Sequence, residues 1–389
     1  MKAAILLVLA ATAGPFANRG AAQTDSQPSL TGNWSGLRTA LERSGIAFAG
    51  SYTTDWSGVA SGGVRRDALV RGLVNLAVSA DLGALIGLRG GSVYVQFMAR
   101  HGRDGADFVG DIEATSSIDA ETFHRVGEAW VEQSLAAGRV RLKVGRVDAN
   151  TEFDGLPEAG AFLNASAGFS PTILFLPTYP APMLSANLFV NPAPWLTVGA
   201  GVYDDDFGTG WNSGDGRRAG FGIGETRAAW PAGSVGVGLW RKAGTVDRRD
   251  GTAGRGTMGW FAHGAQRLWS GARSGAGESG PDLTLFAQYG AADERVSDIC
   301  RHVSVGLVAT GVLGGGPERA AGVRFSRAGL SGFGLEPYAG DEINWELFVK
   351  FPATPFLTLT PDLQYVVRPS GSPTVRNALV LSVRAALQL

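Results

Sequence analysis

From Gly91 the chain alternates: Val93, Val95, Phe97 and Ala99 fall on one side, and Ser92, Tyr94, Gln96, Met98 and Arg100 on the other. Successive side chains of an extended strand point to opposite faces, so this pattern predicts a strand with one apolar and one polar face. The same period recurs. Val140, Leu142 and Val144 oppose Arg139, Arg141 and Lys143. Ile343, Trp345, Leu347, Val349 and Phe351 oppose Glu342, Asn344, Glu346, Phe348 and Lys350. Leu357, Leu359, Leu363, Tyr365 and Val367 oppose Thr358, Thr360, Asp362, Gln364 and Arg368. The last segment places Asn377, Leu379, Leu381, Val383, Ala385, Leu387 and Leu389 on one face, with Ser382, Arg384 and Gln388 opposite. About sixteen such segments fit between Ile46 and Leu389, each near the ~10 residues a tilted strand needs to cross a bilayer.

One stretch breaks the period. In Trp34–Arg43, Leu37 and Leu41 stand four apart and Gly45 follows, which predicts a short helix ahead of the first strand. Its place, as a cap or in a barrel mouth, is open. Turn-rich stretches at Ser61–Gly63, Asp204–Arg218 and Arg248–Gly256 are expected loops. Polar faces rich in charge, together with a final amphipathic strand, favour a transmembrane antiparallel β-barrel over a soluble sandwich. Lipid excludes open sheet edges and so demands closure.

Composition sharpens this picture. Glycine numbers 57, about twice the usual share of roughly 7 %, without a collagen repeat; it suits sheets that bend tightly. Met1-Lys2, an apolar run from Ala3 to Ala13 and small residues at Gly20-Ala21-Ala22 read as an export signal over 1–22, with an N-terminal segment over 23–45 and the barrel over 46–389. A formal charge of -1 argues against nucleic acid as a partner. The single cysteine, Cys300, forms no internal disulfide. Enzyme signals are weak: His101, His124, His263 and His302 are scattered, and Gly220-x-Gly222-x-Gly224 lacks the rest of a dinucleotide fingerprint. Asp204-Asp205-Asp206 reads as a solvated acidic loop sooner than a Ca²⁺ site. No cofactor or metal is expected.

Several motifs, in order, resemble the carbohydrate-selective porins of the OprB family: Trp34-Ser35-Gly36-Leu37-Arg38, Glu128-Ala129-Trp130-Val131-Glu132-Gln133 and Val144-Gly145-Arg146-Val147-Asp148-Ala149-Asn150. Phe162-Leu163-Asn164, Tyr179-Pro180-Ala181-Pro182, Trp345-Glu346-Leu347-Phe348 and the run from Phe356 to Tyr365 follow. The resemblance implies a sixteen-stranded porin with an N-terminal helix, in the outer membrane of a Gram-negative cell. It would admit glucose and other sugars by diffusion through a channel lined with charged and aromatic groups. The chain departs from the common barrel pattern in ending on Leu389 rather than an aromatic.

A porin needs a hole of the right width and polar groups that replace part of a solute's water without holding it. Glu128, Trp130 and Glu132 share a face, and a strand folding back brings Arg139, Arg141 and Lys143 beside them. Acids facing bases set up a field that orients polar solutes. Arg71, Asn75, Tyr94, Gln96 and Arg100 early, and Glu342, Asn344, Glu346, Lys350, Asp362, Gln364 and Arg384 late, are further lining candidates. Arg146, Asp148 and Asn150 suit a turn. Tyr52, Trp56, Trp195, Tyr203, Trp240, Trp269 and Phe356 are candidates for interfacial girdles or sugar stacking. A porin for sugar acids or general solutes, favoured by the bases, a non-conducting barrel enzyme and a blocked structural barrel remain alternatives. Membrane lipid and small sugars are the expected partners, and both a homotrimer and a monomer stay open.

Overall fold

The computed structural model describes residues 29–204, 220–271, 280–312, 316 and 318–389. The expected export signal and nearly all of the loop expected over Asp204–Arg218 lie outside the described residues.

Every alternating segment is a strand. In chain order they are β1 (Ile46–Gly63), β2 (Ala68–Asp81), β3 (Gly91–Gly102), β4 (Phe123–Leu135), β5 (Val140–Val147), β6 (Met183–Ala193), β7 (Leu196–Asp204) and β8 (Gly220–Trp230). There follow β9 (Gly233–Asp247), β10 (Ala253–Ser270), β11 (Asp282–Ala292), β12 (Ile299–Thr310), β13 (Ala320–Leu330), β14 (Glu342–Thr354), β15 (Leu357–Val367) and β16 (Arg376–Gln388). Each pairs antiparallel with its neighbours in sequence, and β1 pairs with β16, so the sixteen strands close into a barrel. Closure leaves no row of unpaired backbone groups, the condition for a sheet in lipid. No helix among the described residues is long and apolar enough to cross a membrane.

The strands run further than the turn residues suggest. Ser61 to Gly63 continue β1 through two register shifts, and β10 already begins at Ala253. Both ends of the described chain lie at the end where β4–β5, β6–β7, β8–β9 and β14–β15 are joined by tight turns. Residues 103–122 and 148–182, the longest described connections, leave from the other end.

The outward wall is apolar: Val70, Leu76, Val95, Val131, Leu142, Val237, Leu239, Leu347 and Leu381 are all exposed. Outward aromatics mark two levels. Trp195, Trp230 and Trp269 lie near the tight turns, and Trp56, Trp260, Tyr289, Trp345 and Tyr365 lie toward the long loops. Two girdle candidates point inward instead. Tyr203 and Trp240 are buried in an aromatic cluster with Phe153, Phe189, Phe221 and Phe261.

Inward packing accounts for much of the glycine. Phe189 pairs across the ladder with Gly199, Phe261 with Gly238, Phe286 with Gly306, and Phe348 with Gly322. In each pair a methyl on the glycine would run into the ring. The ring lies across the neighbouring backbone, the arrangement that covers a strand glycine and lets the sheet curve.

The short helix forms as expected, as α1 (Leu37–Arg43). It sits at the rim: Trp34 meets Phe48 of β1 edge-on, and Arg38 donates to the carbonyls of Phe48 and Leu389. Phe48 shares the outward face of β1 with Tyr52 and Trp56, so the helix docks on the outside of the rim. Leu389 N–H donates to Gly50 O at 2.9 Å, which extends the seam to the last residue.

Gly322→Val is expected to destabilise the barrel by about 1–3 kcal/mol by forcing Phe348 off its seat. The check is the temperature at which the folded band of the purified protein converts to the unfolded one on a gel.

Candidate functional site

Residues 103–122, between β3 and β4, and 148–182, between β5 and β6, carry more apolar side chains than a solvated loop can leave exposed. Phe108, Val109, Ile118, Leu156, Phe162, Leu163 and Ile173 are all buried. Phe108 and Val109 enter a cluster with Val59, Leu69, Val366 and Val380. Phe162 meets Phe286 and Phe348 edge-on, at 5.6 and 4.7 Å between centroids. Both segments therefore fold into the lumen.

Folding inward removes their backbone from water without giving it a ladder, and unpaired buried N–H groups are costly. Wall glutamates satisfy them. Glu342 accepts from the N–H groups of Ile112 at 2.9 Å, Glu113 at 3.1 Å and Ser370 at 2.6 Å. Glu346 accepts from Leu163 at 2.6 Å and Asn164 at 3.0 Å. Glu225 takes Asp154 N–H at 2.8 Å, and Glu128 takes Asp148 N–H at 3.0 Å. Gln364 donates to the carbonyl of Thr115 at 2.8 Å.

The two loops then join. Ser117 N–H donates to Leu163 O at 2.6 Å, and Ala165 N–H to Ala114 O at 2.9 Å. The Ser166 hydroxyl donates to Glu113 at 2.8 Å and accepts from Arg324, which also holds Glu346 at 3.1 Å. Asn164 starts the turn Ala165–Ala167 by accepting from Ser166 N–H. The result is a bridge of inserted chain across the lumen. No group of His, Cys, Asp or Glu suited to a metal ion occurs among the described residues.

A model of the carbohydrate-selective porin, OprB family, matches residues 65–244 and 231–389. The chain belongs to that family. It is a family of channels and not a class of enzyme. Porin B of Pseudomonas aeruginosa is 23 % identical over 417 residues, covering 91 % of this chain and 90 % of that one. The high-pH structure of Pseudomonas putida OprB superposes with a TM-score of 0.83 at 21 % identity, over 94 % of this chain and 99 % of that one. The low-pH structure gives 0.63 at 19 %, over 93 % and 98 %.

In this OprB-family barrel three of the expected lining charges, Glu132, Arg141 and Lys143, meet one another, while Arg71, Glu346 and Arg384 pair with groups outside the expected set. Arg141 donates to Glu132 at 2.8 Å and Glu152 at 2.6 Å, and Lys143 reaches both acids. Burial alone would raise the Glu152 carboxyl, but Lys143 and Arg141 hold it below the usual carboxylate range. Two bases are thus balanced by two acids, which removes the reason for expecting an anion channel. Arg139 is not with them: it lies exposed in the turn 136–139. The ladder with β4 stops at Val140, the residue after Arg139, where β5 starts.

Trp130 is only 4 % exposed, with Tyr94 stacked on it and the Lys143 ammonium 3.8 Å from its ring centre. Arg71 holds Asp119 of the first loop and lies near Asp55, and Arg384 donates twice to Asp55 at 2.8 Å across the β1–β16 seam. Arg100 donates to the carbonyls of Ile118, Gly102 and Arg103. Asp362 accepts from Gln364 at 3.0 Å. Asp148 accepts from Asn150 N–H, the turn role its sequence suggests. Of the scattered histidines, His302 meets Glu113 of the first loop, and His263 meets Glu225 of the wall, which itself holds the second loop at Asp154. The alternation did not reveal Glu225, Arg324, Asn164 or Ser166. The long stretch 148–182, which has no period-two pattern yet many apolar residues, was the available signal.

Glu346→Ala is expected to weaken the loop's hold by about 3–5 kcal/mol, since it strands a buried guanidinium and two N–H groups. Single-channel conductance should rise, while Glu346→Gln, which can still accept, should stay near the parent value. Burial pushes the Asp154 carboxyl up to about 7. Its unfolded value is about 4, so the stability it contributes is complete in acid and lost as pH rises through 7. Amide exchange over 148–182, corrected for its intrinsic rate, should therefore speed up between pH 5 and pH 8. Asp154→Asn should flatten that dependence.

Proposed function

We propose that the protein passes small neutral sugars by diffusion across the outer membrane of a Gram-negative cell, with residues 1–22 serving as its export signal. The long loops face outward and the tight turns face the periplasm, as in single-chain barrels of this kind. The observation that carries the reading is the bridge between residues 114–117 and 163–166, set in a lumen where Arg141 and Lys143 are paired with Glu132 and Glu152.

Paired charges neither repel nor trap a neutral solute. Away from the bridge, the inward positions of the early strands are small or neutral: Ser51 and Thr53 on β1, Asn75, Ala77 and Ser79 on β2, and Ser92 and Gln96 on β3. Hydroxyls and amides both donate and accept, so they exchange bonds with sugar hydroxyls at little net cost. On this reading width decides which solutes enter, and the neutral wall lets them leave.

Purified protein in liposomes should admit glucose faster than gluconate in a swelling assay, and a KCl gradient across a planar bilayer should show no anion preference. Gluconate entering faster than glucose would overturn the reading in favour of a sugar-acid channel.

A further inference from the structure

The ring best placed to meet a solute is not the tryptophan of the family motif but the tyrosine in front of it. Tyr94 and Trp130 stack with centroids 5.1 Å apart and planes 21° from parallel. Lys143, held by Glu132 and Glu152, covers Trp130 from β5. The three side chains come from adjacent strands, so Trp130 is the middle layer and has no open face.

Tyr94 is the end layer. It is only partly buried, and its register partner on β2 is Ser79, a side chain too short to cover a phenol ring. Its hydroxyl has no protein partner among the described residues. Two residues along the same face, about 7 Å away by strand rise, Gln96 donates to Asn75 at 3.4 Å. This pair of amides is also partly exposed. Both groups lie on the β1–β3 wall, whose other inward side chains at this level are small.

We propose that Tyr94 is a stacking site for a pyranose ring, flanked by the amides of Gln96 and Asn75. A pyranose has an apolar face of C–H groups and a rim of hydroxyls. The phenol offers a flat surface to the face, and the amides stand where rim hydroxyls fall. Trp130 acts as backing: pinned by the Lys143 cation, it keeps the Tyr94 ring from tilting into the wall. One ring and two amides form a weak site, which a channel needs if the solute is to move on. The assignment rests on the reading of the protein as a sugar channel and adds where the sugar is touched.

The test uses the full-length protein in planar bilayers, with block of ion current by glucose compared against sorbitol, an open-chain polyol of similar size and hydroxyl count. Folding of each variant is checked by heat-dependent gel migration. In the parent protein glucose should block more strongly than sorbitol. Tyr94→Leu should weaken glucose block by roughly three- to tenfold, down to the sorbitol level. Tyr94→Phe should keep the parent preference, and Gln96→Leu should lose part of it. Unchanged glucose block in a folded, conducting Tyr94→Leu channel would overturn the site, as would equal block by the two solutes in the parent. A parent channel that neither admits glucose into liposomes nor is blocked by it would instead overturn the sugar reading itself.

Discussion

Backbone drawn into a closed lumen has to be paired with something, and the wall supplies glutamate. Glu128, Glu225, Glu342 and Glu346 each project inward from a strand and accept N–H groups from inserted chain. The position of the bridge follows from that pairing. A carboxylate accepting backbone N–H groups is among the stronger hydrogen-bonding arrangements available to a protein. It lets a segment without a strand of its own hold a fixed course through the barrel. Arg324 adds a second link by holding Glu346 and Ser166 together.

This division of labour explains what could and could not be read from the sequence. Strand number, the inward or outward facing of residues such as Val95 and Tyr94, and the meeting of first and last strands all follow from a period of two. That period is local and repeats many times. The purpose of the inward charges does not follow from it. Glu128 and Glu346 look like lining because they share a face with other polar groups, but their partners lie 20 and more than 180 residues away. Arg139 looks like part of the same wall as Arg141, yet the turn claims it. Tyr203 and Trp240 look like girdle residues near strand ends; their glycine-rich surroundings, including Gly201 and Gly259, give them room inside instead. Distant pairing and local volume are what periodicity omits.

Sugar channels face a conflict between entry and exit. Strong polar groups ease dehydration but slow release. Here strong groups are bound to one another, as in the set Arg141, Lys143, Glu132 and Glu152, which on the proposed reading leaves weaker hydroxyls and amides to meet the solute. On that reading rigidity and permeation are carried by different residues, and a change in one set need not disturb the other.

The seam between β1 and β16 has a consequence for how the protein comes into being. Asp55 and Arg384, which meet there beside the bridge, are 329 residues apart in the chain. Contacts of such separation are the slowest to form, because a very large loop must close before anything rewards it. The passage wall is therefore completed only when the two ends of the chain find each other. Until that moment the chain has neither a sealed edge nor a finished conduit. One seam thus both seals the sheet against lipid and completes the wall around the passage.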